Sequence, residues 1–208
     1  KIQQCINTDE YDNIKSVVND YLKEGIAHTL DETRNLSDSG QFEDISLQQG
    51  IRQILYPYEE MEVLNPEWEV ILKDIIDSLF EQMSDEEYNI LNEEFGTYMV
   101  SRAYEYRQLL EYLVFRYFAK SIYDYDFLGK CQMLVTNFFV IRQMDIIRWL
   151  DNHREYSFKD RMDVVHIFSR QVEYSEDNIE NLYEDFIFDD IFKTDSLIAI
   201  LWIDSENI

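Results

Sequence analysis

The sequence predicts an all-α protein, a single bundle-like domain of about eight helices. Three observations lead there. Only 5 Gly and 2 Pro occur in 208 residues, which starves a many-stranded sheet of its turn residues. Apolar side chains return at helical spacings of three, four and seven along most of the chain. Aromatics make up 15% of the residues, with 13 Phe, 15 Tyr and 3 Trp, enough contact area for helix packing despite the high charge.

Taken in order, residues 9 to 30 place Tyr11, Ile14, Val17, Val18, Tyr21, Leu22 and Ile26 on one face, with Thr8 the expected N-cap. The polar stretch around Arg34 to Gln41 reads as an exposed connection. The expected organisation is therefore an N-terminal helix within 1–30, a connection at 31–45, a helical core at 46–188 and an apolar tail at 189–208. Ser46 caps a short helix through Tyr56 that Pro57 ends or kinks. Asn65-Pro66 starts the next helix, which runs to about Gln82 on Trp68, Ile71, Leu72, Ile75, Ile76 and Leu79.

Ser84 to Glu87 matches a capping box, and Gly96 is the expected end or bend of the helix it opens. Two aromatic helices follow, about 98–123 and 126–150. Ser157 opens a helix to about Glu173, and Ser175 caps another to about Phe188. The apolar run Ser196 to Ile203 fits a helix or a strand, because period alone does not separate the two.

Charge narrows the function. The formal net charge is −25, with 43 acidic and 18 basic residues. Such a chain lacks the cations that displace counterions from nucleic acid, and an anionic membrane surface repels it. The longest apolar run, Met133 to Ile141, is broken by Thr136 and Asn137 and falls far short of a membrane span. Cys5 and Cys131 sit in no motif and define neither a disulfide framework nor a zinc or iron–sulfur site. No stretch reads as a signal peptide, so a cytosolic protein is expected. The opening Lys1 suits a mature form or a piece of a longer protein. Oligomeric state is not legible.

Two constellations carry candidate chemistry. The aromatic helices keep Arg102, Arg107, Arg116, Lys120, Arg142 and Arg148 within or beside apolar faces. A guanidinium there needs a counter-charge, since burying an unpaired one costs several kcal/mol or more. Either Glu105, Glu111 and Asp145 supply it, with Asp145 three residues beyond Arg142, or an anionic ligand does. Arg116 and Arg142 have the most apolar flanks. Tyr117 and Tyr123, in a dense tyrosine band, either pack as core or line a pocket for a cation. The second set, Asp163, His166, Arg170 and Glu173, shares one helix face by spacing. It is either a solvated face or a proton-exchanging group around His166. No metal-ligand spacing and no nucleophile elbow is present.

The run Tyr112 to Asp124, YLVFRYFAKSIYD, resembles the YLxFRYFxKxxYD segment of flagellin lysine-N-methylases. Leu64 to Trp68, Phe139 to Arg142, Arg148 to Leu150 and Phe168 to Asn178 look similar to further pieces of that family, in the same order. The resemblance implies methyl transfer from S-adenosylmethionine to lysines of a flagellin-like protein substrate. The family also carries an N-terminal cysteine cluster thought to hold an iron–sulfur centre. Cys5 is the only N-terminal cysteine here, so the chain corresponds to the helical C-terminal part and does not support such a cluster.

The expected pocket then gathers Arg116, Tyr117, Lys120, Tyr123, Arg142, His166, Arg170 and Glu173, with no catalytic residue assigned. A competing reading is a noncatalytic, acidic helical interaction module of adaptor or chaperone type, which the charge and the apolar tail suit. A regulator's effector domain needs a DNA-binding element that the chain does not show.

Overall fold

The computed structural model describes residues 1–37 and 45–206, and every regular element among them is helical. Nine of the helices have ten or more residues. In chain order the α-helices are α1 (Ile2–Asn7), α2 (Tyr11–Ser37), α3 (Leu47–Glu59), α4 (Pro66–Ile75), α5 (Asp85–Met99), α6 (Ala103–Phe118), α7 (Ser121–Asp124), α8 (Phe127–Asp151), α9 (Phe158–Phe168), α10 (Glu176–Phe188) and α11 (Thr194–Glu206). Helices α4 and α9 each run on into a π-helical turn, Ile76–Glu81 and Ser169–Glu173. No helix among the described residues is long and apolar enough to cross a membrane.

The starts are set by side chains that satisfy otherwise orphaned backbone N–H groups. Ser46 accepts from the N–H of Gln49, and Asn65 from that of Glu67 with Pro66 at the first helical position. Ser84 with Glu87, and Ser157 with Asp160, form reciprocal capping boxes. Asp126 caps α8 by accepting from Gly129 N at 2.8 Å. A Cβ at Gly129 would meet that carboxylate, so glycine lets the cap sit this close.

Four sequence expectations change, and one left open is decided. Thr8 does not start α2; it ends α1, its N–H reaching back to Gln4. The expected connection at 31–45 begins later, because α2 continues through Ser37, with Gly25 (φ +82°) breaking its helical path. The rest of that connection, 38–44, lies outside the described residues. Pro57 sits inside α3, which extends to Glu59, and Gly96 is buried within α5 rather than ending it. The apolar tail is helix α11, packed on α2 and α3.

Helix α8 is the axis of the molecule. Buried residues occur all round it from Gly129 to Trp149, and α3, α4, α6, α9 and α10 pack against it. A helix buried on every side is the centre of a core, and the polar groups it carries inward must find partners there. A glutamine and an asparagine side chain then fasten the connection before α4: Gln171 Oε1 accepts from the N–H groups of Leu64 (2.9 Å) and Asn65 (3.2 Å), and Asn178 Oδ1 from that of Glu62 (3.1 Å).

Candidate functional site

The basic residues of the apolar faces resolve into separate environments. The deepest holds a cation that the spacing argument passed over. Arg161 on α9 is buried, as are Asp145 on α8 and Glu105 on α6. Its Nη1 donates to Asp145 and its Nε to Glu105, at 3.4 Å. Tyr106 and Tyr156 also donate their hydroxyls to Asp145, while Arg102 pairs with Glu105 at 2.7 Å. Two guanidiniums thus face two carboxylates. Burial pushes the Asp145 carboxyl upward, with Arg161 and the two hydroxyls opposing it, and Asp145 in turn keeps Arg161 firmly charged despite burial. Asp145 therefore answers Arg161 and not Arg142, three residues before it. Arg142 Nη1 donates instead to Asn92 Oδ1, and its guanidinium lies 5.7 Å from the centre of the Phe95 ring.

A second cluster unites three of the expected pocket residues. Glu173, in the π turn after α9, accepts from Tyr112 (2.7 Å), Tyr117 (3.3 Å) and Ser169 (2.7 Å), and Arg116 lies 4.0 Å from its carboxylate. Asn137 donates to the Tyr117 oxygen and accepts from Tyr58, so the network runs into the core. Burial, then the bond to Glu173, pushes the Tyr112 hydroxyl up to about 12. Arg116 thus meets an acid of its own chain, and it lines none of the larger cavities described here. Lys120 and Tyr123 lie beyond α6 with exposed side chains and do not join it.

The remaining expected residues, His166 and Arg170, lie in the groove between α4, the end of α8 and α9. The π turn Ser169–Glu173 adds to the residues per turn and swings Glu173 inward, away from the face it was expected to share with them. The groove encloses about 630 Å³. Ile71, Ile147 and Ile167 floor it, and Glu67, Asp74, Asp151 and Asp163 bring four carboxylates to Arg148, Lys159, His166 and Arg170. Lys159 is paired with Asp163. Arg148 Nε is buried and has no hydrogen-bond partner among the described residues.

Sequence reasoning missed Arg161, whose flanks in α9 look amphipathic, and of the groove's acids it named Asp163 but missed Glu67, Asp74 and Asp151. A signal for the latter exists: Glu67, Val70, Ile71 and Asp74 share one face by spacing, as do Lys159, Asp163, His166 and Arg170.

Chemically, the groove suits a zwitterion, with guanidinium for a carboxylate and carboxylates for cationic groups. Its volume falls within the range of cofactor clefts, and the unpartnered Arg148 Nε fits a ligand anion. An iron–sulfur centre takes about four cysteine thiolates. This chain offers Cys5 and Cys131, and among the described residues no three His, Cys, Asp or Glu are grouped to hold a metal. The residues of this chain do not fit such a centre.

A family model described as the FliB lysine N-methylase C-terminal domain matches residues 1–200. No curated protein and no solved structure matches the chain.

Proposed function

The chain belongs to the FliB lysine N-methylase C-terminal domain family, and on that premise we propose that it serves S-adenosylmethionine-dependent methyl transfer to lysines of a flagellin-type protein, with the α4–α8–α9 groove as the receiving site. The observation that carries the reading is the buried Arg148 Nε left without a partner beside four carboxylates.

When bound, S-adenosylmethionine supplies a methyl group on a positively charged sulfur. Arg148 and Arg170 would hold its carboxylate, and Asp74 and Asp151 its ammonium. The isoleucine floor takes the uncharged part and keeps water from it. Glu67 remains to attract a lysine ammonium, with Asp163 beside it already paired to Lys159, and the Glu67 carboxylate accepts the proton that lysine must lose before its nitrogen attacks. Reading Arg116 as an anion grip finds less support, because Glu173 already answers it.

Titration calorimetry of the whole chain with S-adenosylmethionine tests the proposal. Saturable binding is expected, weakened about tenfold, or about 1.4 kcal/mol, by Arg148→Ala and unaffected by Lys120→Ala. No heat at millimolar ligand, or equal binding by the Arg148 variant, rules the groove out as the site.

A further inference from the structure

The α4–α8–α9 groove contains a lysine of this chain. Lys159, the second residue of α9, lines it with Asp163, His166 and Arg170, which follow at helical spacing on the same face. The capping box of Ser157 and Asp160 fixes the backbone from which its side chain starts. Of the described residues lining the groove, it alone carries a primary amine. Lys73 on α4 is exposed next to Asp74 but does not line the groove. Lys130 is buried against Asp124 and Asp126 at the opposite end of α8.

Local structure gives little reason for a lysine at this position. The first turn of a helix favours anionic side chains, because its free N–H groups carry partial positive charge. The contact with Asp163 is an i,i+4 pair whose side chains are 81% and 41% exposed, and such a pair is held weakly in water. The amine can therefore leave Asp163 at little cost and reach along the groove on its flexible four-carbon stem.

The methyl-transfer reading puts a sulfonium methyl group in the same space of about 630 Å³. A lysine of another protein must dock there before it reacts. Lys159 is tethered there, and tethering turns a bimolecular step into an effectively unimolecular one. We propose that Lys159 is a site of self-methylation, an inference that rests on the methyl-transfer reading of the groove. The ammonium first gives a proton to solvent, which its exposed side chain meets. The Nζ lone pair then forms the N–CH3 bond as the carbon–sulfur bond breaks. The bonding electrons stay on sulfur, a neutral thioether leaves, and Nζ takes over the positive charge.

Three measurements on the full chain test this. Calorimetry with S-adenosylmethionine reports whether the groove is filled. A brief pulse of excess amine-acetylating reagent, with and without the ligand, reports which lysines the ligand covers. Longer incubation with the ligand, followed by peptide mass spectrometry, locates any methyl group. Saturable heat is expected, with acetylation of Lys159 lost in the presence of ligand and that of Lys73 unchanged. The methyl group is expected on Lys159 in wild type and in Lys73→Arg, and on no residue in Lys159→Arg. Saturable heat with Lys159 acetylated as freely as before overturns this inference and leaves the groove reading standing. So does saturable heat with the methyl group on another lysine or on none. Absence of heat overturns both.

Discussion

The Asp145–Arg161 cluster and the α4–α8–α9 groove are both built from α8 and α9, and they treat charge in opposite ways. In the cluster, Asp145 is 0% exposed and accepts from Arg161, Tyr106 and Tyr156, while Glu105 answers Arg161 and Arg102. The groove leaves most of its charged groups open to solvent; an unanswered guanidinium nitrogen occurs in both, Arg148 Nε in the groove and Arg161 Nη2 in the cluster. The first arrangement is costly to disturb and closed to solvent; the second costs little to disturb and stays open to it. Burial of a basic residue among aromatic rings is thus a sign of internal pairing in this protein, and the solvent-open groove is where we propose a ligand binds.

The largest effect that tests the contrast is Asp145→Leu, which strands Arg161 in the core. A loss of about 3–5 kcal/mol is expected in urea denaturation, and adding Arg161→Met should restore most of it. A single variant as stable as wild type would break the comparison. Glu173→Ala removes the acceptor of three hydroxyls and should cost about 2 kcal/mol, measured in the same way. Arg148→Ala should move stability by no more than about 0.5 kcal/mol while weakening S-adenosylmethionine, since Arg148 is only half-buried and its Nε makes no hydrogen bond to lose.

The smallest effect is spectroscopic. Tyr112 should ionise at about 12 in absorbance at alkaline pH, and Glu173→Ala should bring it back toward 10.0. Its hydroxyl is held neutral in the folded state, so its stabilising contribution is complete below the ordinary value and fades as pH climbs from there toward 12.

Much of the fold could be read locally. The caps at Ser46, Asn65, Ser84, Ser157 and Ser175 depend on residues two or three positions apart, and each appears where the spacing placed it. The tail Ser196 to Ile203 was ambiguous because a run apolar on all sides has no period to read, and contact with α2 and α3 accompanies its helical form. The site was less legible. Pairing Arg142 with Asp145 followed from their offset, yet partners in a core are chosen across helices. Glu173 left its expected face because of a π turn that no side-chain pattern announces.

The stretches that carried the family resemblance turn out to meet in space. Gln171 bonds the segment at Leu64 and Asn65, and Glu173 bonds Tyr112 and Tyr117. Those motifs mark structural fastenings. Glu67, Arg148 and Arg170 of the groove belong to the same stretches, and what the structure adds is the facing of Asp74, Asp151 and Lys159 toward them.

The central claim is that ligand-binding capacity resides in the open groove and not in the paired interior. Backbone amide shifts of isotope-labelled protein during S-adenosylmethionine titration test it most directly. Saturable shifts are predicted from Glu67 to Asp74 and from Lys159 to Arg170, with the surroundings of Arg116 and Arg142 still. Shifts concentrated at Arg116 and Arg142, with a silent groove, would contradict it.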